Sequence, residues 1–228
     1  MASFTLAQLR TEVRRRADME TSQFIKDAEL TSYINTSIAE LYDLLVQKFG
    51  NDYFFNSYSF SLVPGTESYN LPADFFKLLA VDIQLANGEY NTVKRFELNE
   101  RNKYNSTVLR GVYGSSWLRY RVAGSKLYFA PIPQSSETIR IYYIPLPTTL
   151  VSDADTFNGY NGWEEYVLVD ATIRCLNKEE SDISSWMAAK KNLVVRIEEA
   201  AGNRDAGFSP RITDTRRIEF EQSRDFWY

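Results

Sequence analysis

Between Asp27 and Phe49 an apolar residue returns at intervals of four, three, four and four, as Ile34, Ile38, Leu41, Leu45 and Phe49. That spacing places all five in one stripe of an amphipathic helix, and Leu30 extends the stripe by a turn. The ends are encoded nearby. Asp27 is placed to cap the free amides, Glu29 and Glu40 read as lying toward the positive end of the helix dipole, and Gly50 follows the last apolar residue. A single helix cannot bury such a stripe by itself. Cover is expected from the helix just before it and from two helices at the far end of the chain, which makes the middle an insertion.

Composition narrows the chemistry. The 228 residues are 44% hydrophobic and 14% aromatic, enough for a core in one large domain or two closely joined ones. No apolar run approaches the roughly 18 residues of a membrane span. The opening MASFTLAQLRTEVRRR lacks the order of a secretion signal, so a soluble chain made inside the cell, with no membrane partner, is expected. Histidine is absent, which removes Ser-His-Asp and Cys-His catalysis and most imidazole metal sites. The one cysteine, Cys175, excludes an internal disulfide and reads as a small buried residue beside Ile173 and Leu176. Only carboxylate-based hydrolysis stays open, and abundance alone selects no pair among 30 acidic residues.

Charge is uneven along the chain. From Leu85 to Tyr128, Lys94, Arg95, Arg101, Lys103, Arg110, Arg119, Arg121 and Lys126 stand against Glu89, Glu97 and Glu100, a local balance of +5. From Val151 to Ser185 eight acidic residues stand against Arg174 and Lys178, a balance of −6. Opposite patches suit head-to-tail contact between copies, and equally suit two solvated faces.

Helix one is predicted over Thr5 to Asp18 from Leu6, Leu9, Val13 and Ala17, with Thr5 as cap and Arg14, Arg15 and Arg16 on or near the exposed side. A short connector, Met19 to Lys26, makes helices one and two antiparallel neighbours. After Gly50 the period changes to two: Tyr58, Phe60 and Leu62 alternate with Ser57, Ser59 and Ser61, and Val63-Pro64-Gly65-Thr66 turns the chain into a hairpin whose return arm is Ser68 to Leu71. Further strands are expected at Leu78 to Leu85, Tyr90 to Phe96 after the Asn87-Gly88 turn, Trp117 to Val122, Lys126 to Ala130 and Thr138 to Ile144. The polar stretch Leu98 to Val108 is expected to hold one short helix. These strands and short turns predict an antiparallel sandwich or small barrel. Val151 to Gly162 reads as a polar linker, followed by helix three with Trp163, Tyr166, Val167, Ile173 and Leu176 on one face and helix four with Met187, Val194, Ile197 and Ala201.

The last residues fit neither period. Arginine and large aromatics, the residue types that dominate protein interfaces, mark Arg211, Arg216, Arg217, Phe220, Arg224, Phe226, Trp227 and Tyr228 as a docking arm, against the alternative of a tail sealing its own domain. No P-loop is present, since Gly111-Val112-Tyr113-Gly114 lacks its lysine, and Asp153-Ala154-Asp155 lacks the rest of a calcium loop. No cofactor or metal is expected. Trp117-Leu118-Arg119-Tyr120-Arg121 could stack bases, so a nucleic-acid-binding module built on the basic, aromatic-rich β region is the alternative function.

Thr5-Leu6-Ala7-Gln8-Leu9-Arg10, Ile34-Asn35, Glu40-Leu41-Tyr42, Tyr69-Asn70-Leu71-Pro72-Ala73-Asp74-Phe75, Leu127 to Pro133, Ile141-Tyr142-Tyr143-Ile144-Pro145 and Trp163-Glu164-Glu165-Tyr166 occur in the order seen in head-to-tail adaptor proteins of tailed bacteriophages. The chain resembles that family over nearly its whole length. The resemblance implies an α+β chain: a four-helix bundle from 1–50 and 151–203, an inserted β domain at 51–150 and a C-terminal arm at 204–228. It also implies a non-enzymatic virion component, assembled in the host cytoplasm as a ring, commonly twelve-fold, between portal and tail. The arm would grip the portal, the lower face would receive the next tail or nozzle protein, and genomic DNA would pass through the centre.

Overall fold

A capping box starts the first helix. The Thr5 hydroxyl accepts from the Gln8 amide at 3.2 Å, while the Gln8 side chain accepts from the Thr5 amide at 2.9 Å. In the computed structural model, which describes residues 3–22, 24–50, 53–104 and 118–202 with Asn161 as backbone only, strand β1 (Phe4–Thr5) leads into α1 (Leu6–Arg16). Leu6, Leu9, Val13 and Ala17 are all buried, as their spacing predicts. Helix α2 spans Asp27–Phe49, with Leu30, Ile34, Ile38, Leu41 and Leu45 facing inward.

Asp27 does not cap α2. Lys26 holds the cap position without a side-chain bond, and the Asp27 carboxylate, in the first turn, accepts from Arg14 at 2.9 Å instead. Glu40 lies beyond the middle of the helix, away from the positive end, where it serves other cations.

Among the described residues, ten strands and their connections follow the α+β pattern. Between the two long helical stretches run β2 (Asn56–Ser61), β3 (Ser68–Asn70), β4 (Phe75–Gln84), β5 (Tyr90–Thr92), β6 (Lys94–Arg95), a 3-10 turn at Leu98–Glu100, α3 (Arg101–Tyr104), β7 (Arg119–Ala123), β8 (Lys126–Ala130) and β9 (Thr138–Pro145). They form two four-stranded sheets, ordered β2-β9-β4-β5 and β3-β8-β7-β6. Pairing is antiparallel except for the two-residue β6–β7 contact, which is parallel. In β9, Ile139, Ile141 and Tyr143 are buried while Arg140 and Tyr142 face outward, as expected. The β7–β8 hairpin and the turn joining β4 to β5 also form where expected.

The expected hairpin between β2 and β3 does not form. The Val63-Pro64-Gly65-Thr66 turn is made, with Thr66 donating to Val63 at 3.0 Å, yet it carries the chain from one sheet to the other. Strand β2 finds six partners on β9, and β3 finds three on β8. A local turn offers only a three-residue return arm, so the longer apolar partner wins.

After β9 the chain returns through β10 (Thr156–Phe157), α4 (Gly159–Gly162), α5 (Glu164–Lys178) and α6 (Ser184–Gly202). The stretch expected to be a polar linker is therefore ordered. β10 pairs with β1, Arg10 binds Asp153 at 2.6 Å, and the Asp155 carboxylate accepts the amides of Val151 and Ser152 at 2.7 and 2.8 Å. Helix α2 packs against α1, α5 and α6, and α5 packs against α1 and α6. On α6 Ile197 is buried and Val194 packs against the core, as expected, whereas Met187 is exposed and Leu193 is buried in addition. The Asp182 carboxylate accepts from the Ser184 amide at 2.9 Å where that helix begins.

Two apolar clusters share no residue. One gathers side chains from α1, α2, α5 and α6 with Leu150 and Phe157. The other joins both sheets through Leu62, Val81, Ile83, Val93, Leu118, Leu127, Phe129, Ile139, Ile141 and Tyr143.

Candidate assembly surfaces

Charged groups in the helical region are spent on holding helices together. Asp170 on α5 is 2% exposed, and its carboxylate accepts from Ser37 at 2.6 Å, Lys190 at 2.6 Å and Arg174 at 2.9 Å. Arg174 and Lys190 both turn also to Glu40, so one acid on α2, one on α5 and cations from α5 and α6 close a single network. Burial pushes the Asp170 carboxyl up, and the bonds from Lys190, Ser37 and Arg174 outweigh it, leaving the group below the usual carboxylate range. A carboxylate so fully engaged is held ionised and has no proton to give. This is the opposite of a general acid poised near neutrality.

Where the helices meet the sheets, the contact is aromatic. The Tyr42 ring stacks on Phe54 with centroids 4.4 Å apart and meets the edge of Tyr160 at 5.6 Å, and its hydroxyl donates to the Pro145 carbonyl at 2.5 Å. Burial, with Asp43 and Asp74 adding, pushes the Tyr42 phenol up to about 12. Tyr53 donates to the Tyr160 carbonyl at 3.0 Å. The Asn35 side chain donates to and accepts from the Leu150 backbone, both at 2.9 Å, tying the returning chain to α2.

The arginine triplet turns inward rather than outward. Arg14 donates to the carbonyls of Ser22 and Ile25 as well as to Asp27, and Arg16 pairs with Glu12 and Glu165; only Arg15 is well exposed. Phosphate contact there would compete with these bonds. Of the acidic stretch only Asp170 is buried; Asp153 and Glu165 pair with Arg10 and Arg16 from exposed positions, the Asp155 carboxylate binds backbone amides, and Glu179, Glu180 and Asp182 lie at the exposed α5–α6 turn.

On the β side, Leu118 is buried and Arg119 lies over the Tyr104 ring at 5.5 Å. Arg95 and Arg121 both approach Glu97, at 3.7 and 3.6 Å. Arg95, Arg119 and Arg121 therefore partner an acid or an aromatic ring of their own surface, while Lys94 and Lys126 are exposed. Arg110 and Trp117 lie outside the described residues, as do the Gly111–Gly114 stretch and the end of the helix expected over 98–108. All eight arm residues, Arg211, Arg216, Arg217, Phe220, Arg224, Phe226, Trp227 and Tyr228, also lie outside them.

Chemistry for catalysis is thin. Histidine is absent from the chain, and among the described residues no group of three metal-ligating side chains comes together. Cys175 is buried, and that burial pushes its thiol up to about 11, far from a reactive thiolate. No helix among the described residues is long and apolar enough to cross a membrane. Sequence reasoning missed the Asp170 network because Asp170, Arg174, Lys190 and Glu40 carry no motif. The one available signal was Asp170 lying between Val169 and Ala171 in an otherwise apolar run.

A comparison with curated proteins gives no match. A comparison with protein families gives one described as SU10 adaptor protein, matched over residues 4–213, which takes in both apolar clusters and every segment on which the resemblance to phage adaptors rests. The chain belongs to the SU10 adaptor protein family, the structural adaptors of phage.

Proposed function

We propose that this chain forms the ring that joins the portal to the tail in the neck of a phage particle. The family match across 4–213 carries this reading. In it, residues 1–50 with 151–203 act as a helical bundle, residues 51–150 act as an inserted β domain, and subunits stand side by side around a channel through which the genome passes. Twelve copies is the number the family resemblance implies. Two features of the fold support the division: the separate apolar clusters, and a junction built of rings and backbone bonds around Tyr42. Exposed apolar positions on α6, Met187 and Val195, are available to side-by-side contacts between subunits.

The arm at 204–228 is the proposed portal grip, through Arg211, Arg216, Arg217, Phe220, Arg224, Phe226, Trp227 and Tyr228. Arginine and aromatic side chains supply most of the energy in protein interfaces, and ordering such a segment costs roughly 1–2 kcal/mol per residue, so docking must bury these rings to hold. Of the eight, only Arg211 falls within the family match.

The test is co-sedimentation with the portal ring of the same particle, comparing the full chain with one ended at Asn203. Binding of the full chain as a ring, lost on truncation, supports both the adaptor reading and the grip. Binding by both chains keeps the adaptor and removes the grip. Binding by neither, with free protein retaining DNA at moderate salt, transfers the function to the nucleic-acid alternative.

A further inference from the structure

Among the described residues, β2 is a sheet edge that nothing blunts. Its six residues, Asn56–Ser61, hold no proline, charge or bulge, the devices that normally protect an edge, and all but Phe60 are exposed. The opposite edge of the same sheet, β5, is also open: Tyr90, Asn91 and Thr92 are all exposed. Leu62 donates its amide to the Glu137 carbonyl at 2.9 Å on the β9 side, so strand alternation aims the backbone groups of Ser59 and Ser61 away from the sheet. Val93 donates to the Val81 carbonyl at 2.7 Å, and the Glu89 carbonyl accepts from the Leu85 amide at 2.8 Å. On β5 the outward groups are therefore those of Tyr90 and Thr92.

The two edges match in direction and in face. The sheet has four strands, β2-β9-β4-β5, and every pair is antiparallel, so β5 runs opposite to β2. A second copy rotated about an axis along the strands can set its β2 beside β5 and continue the antiparallel order. Ser59, Arg140, Asp82 and Thr92 form one row across the sheet, and directly opposite residues share a face, here the outer one. Thr92 of one copy against Ser59 of the next keeps that face and sets Tyr90 against Ser61. On the inner face the same register sets Val93 beside Tyr58. Val93 belongs to the core between the sheets, and Tyr58, 43% exposed, stacks on Phe60 with centroids 6.0 Å apart at the opposite margin of that core. The apolar layer is thus continuous through the joint. A contact of β2 with β2 would pair two copies and stop, leaving both β5 edges open.

We infer that neighbouring copies of this chain join edge to edge, β5 of one against β2 of the next, with Thr92 opposite Ser59. The contact is heterologous: each copy gives one edge and receives the other, and repetition around a closed ring removes every open edge of this sheet. Main-chain bonds from Tyr90 and Thr92 to Ser61 and Ser59 hold the joint, as in other strand additions, and the Thr92 and Ser59 hydroxyls form a cross-strand pair. A joint only as long as β5 is weak between two free copies and is strengthened by ring closure, which makes the last contact intramolecular. The inference rests on the proposed ring and names one contact within it.

Paired cysteines test this. In Ser59→Cys with Thr92→Cys the two positions lie three strand spacings apart within one chain, about 14 Å, beyond the reach of a disulfide, but about 5.5 Å apart across the joint. The full-length double variant is oxidised both free at high concentration and in the fraction that sediments with the portal ring. A ladder of covalent oligomers beyond the dimer is expected on a non-reducing gel, and none from the natural chain, whose Cys175 is buried. Ser61→Cys with Tyr90→Cys reads the same register independently, should the first pair fail to fold. A ladder in the portal fraction supports the joint and the ring together. A ladder from the free chain, with no portal fraction, keeps the joint and removes the portal reading. Sedimentation with the portal but no ladder overturns the joint and leaves the adaptor, and the lack of both overturns both. Products that stop at the dimer, or dimers formed by Ser59→Cys alone, also overturn the joint, because β2 then pairs with β2.

Discussion

Asp170 shows what one buried charge does here. It receives three donors from two helices besides its own, and each donor has a further obligation to Glu40 or to its own backbone. Asp170→Ala should destabilise the protein by about 3 kcal/mol, the low end for breaking a buried ion pair, because Arg174 and Lys190 keep Glu40. Urea denaturation measures it. The same residue predicts a pH response. Its folded pKa lies below its unfolded one, so its contribution is present above the ordinary aspartate value of about 3.9 and is lost as pH falls through the folded value. The urea midpoint should therefore fall more steeply below about pH 4 in the natural chain than in Asp170→Asn. An equal slope in the two proteins would assign the acid sensitivity to other carboxylates.

At the scale of elements, legibility followed period. Helix α1 was readable from Thr5, Leu6, Leu9 and Val13, and β9 from Ile139, Ile141 and Tyr143, because each buries one clean face. Pairing was less readable: the Pro64-Gly65 turn has the chemistry of a hairpin, and nothing in its residues announces that β2 belongs to β9, far along the chain. Two short elements went unread. β10 has two residues and α4 has four, and they exist through contacts with β1, Tyr42 and Tyr53 rather than through pattern. The arm lies outside the described residues, so its role rests on composition alone. Gly159 is a specific case of a requirement hidden from pattern. Its φ is +65°, and an added methyl would meet the Glu164 carboxylate and lie 3.0 Å from the Glu164 backbone nitrogen. Gly159→Ala should cost more than the roughly 1–2 kcal/mol strain of a left-handed alanine, because Glu164 must also shift, seen as a lowered thermal midpoint. Gly88, at φ +86° with open space around it, should cost only the strain.

For the whole molecule, the disjoint clusters make a stronger prediction. The chain enters the sheets just after Phe54 and leaves them at Pro145, and both ends touch Tyr42, one by ring stacking at 4.4 Å and the other by a hydroxyl bond at 2.5 Å. Replacing residues 56–145 with a few glycines should therefore leave a folded helical protein with cooperative loss of helical circular dichroism on heating. A molten, non-cooperative product would mean that the division into bundle and insertion is wrong, whatever the ring assembly shows.

The clasp between Phe4–Thr5 and Thr156–Phe157, with Arg10 on Asp153, also sets a clock. The first helix emerges from the ribosome with Leu6, Leu9 and Val13 exposed, and although α2 follows it closely, its other partners, β10 and α5, are encoded about 150 residues later. At roughly 5–20 residues per second, that is about 8–30 s during which the beginning of the chain waits for its end. During translation the sheets, whose contacts all fall between residues 56 and 145, can close while the helical half is still open. Nascent chains of this protein should therefore be most exposed to chaperones and proteases at their start, and a stall before residue 150 should strand an intact sheet region beside unshielded helices.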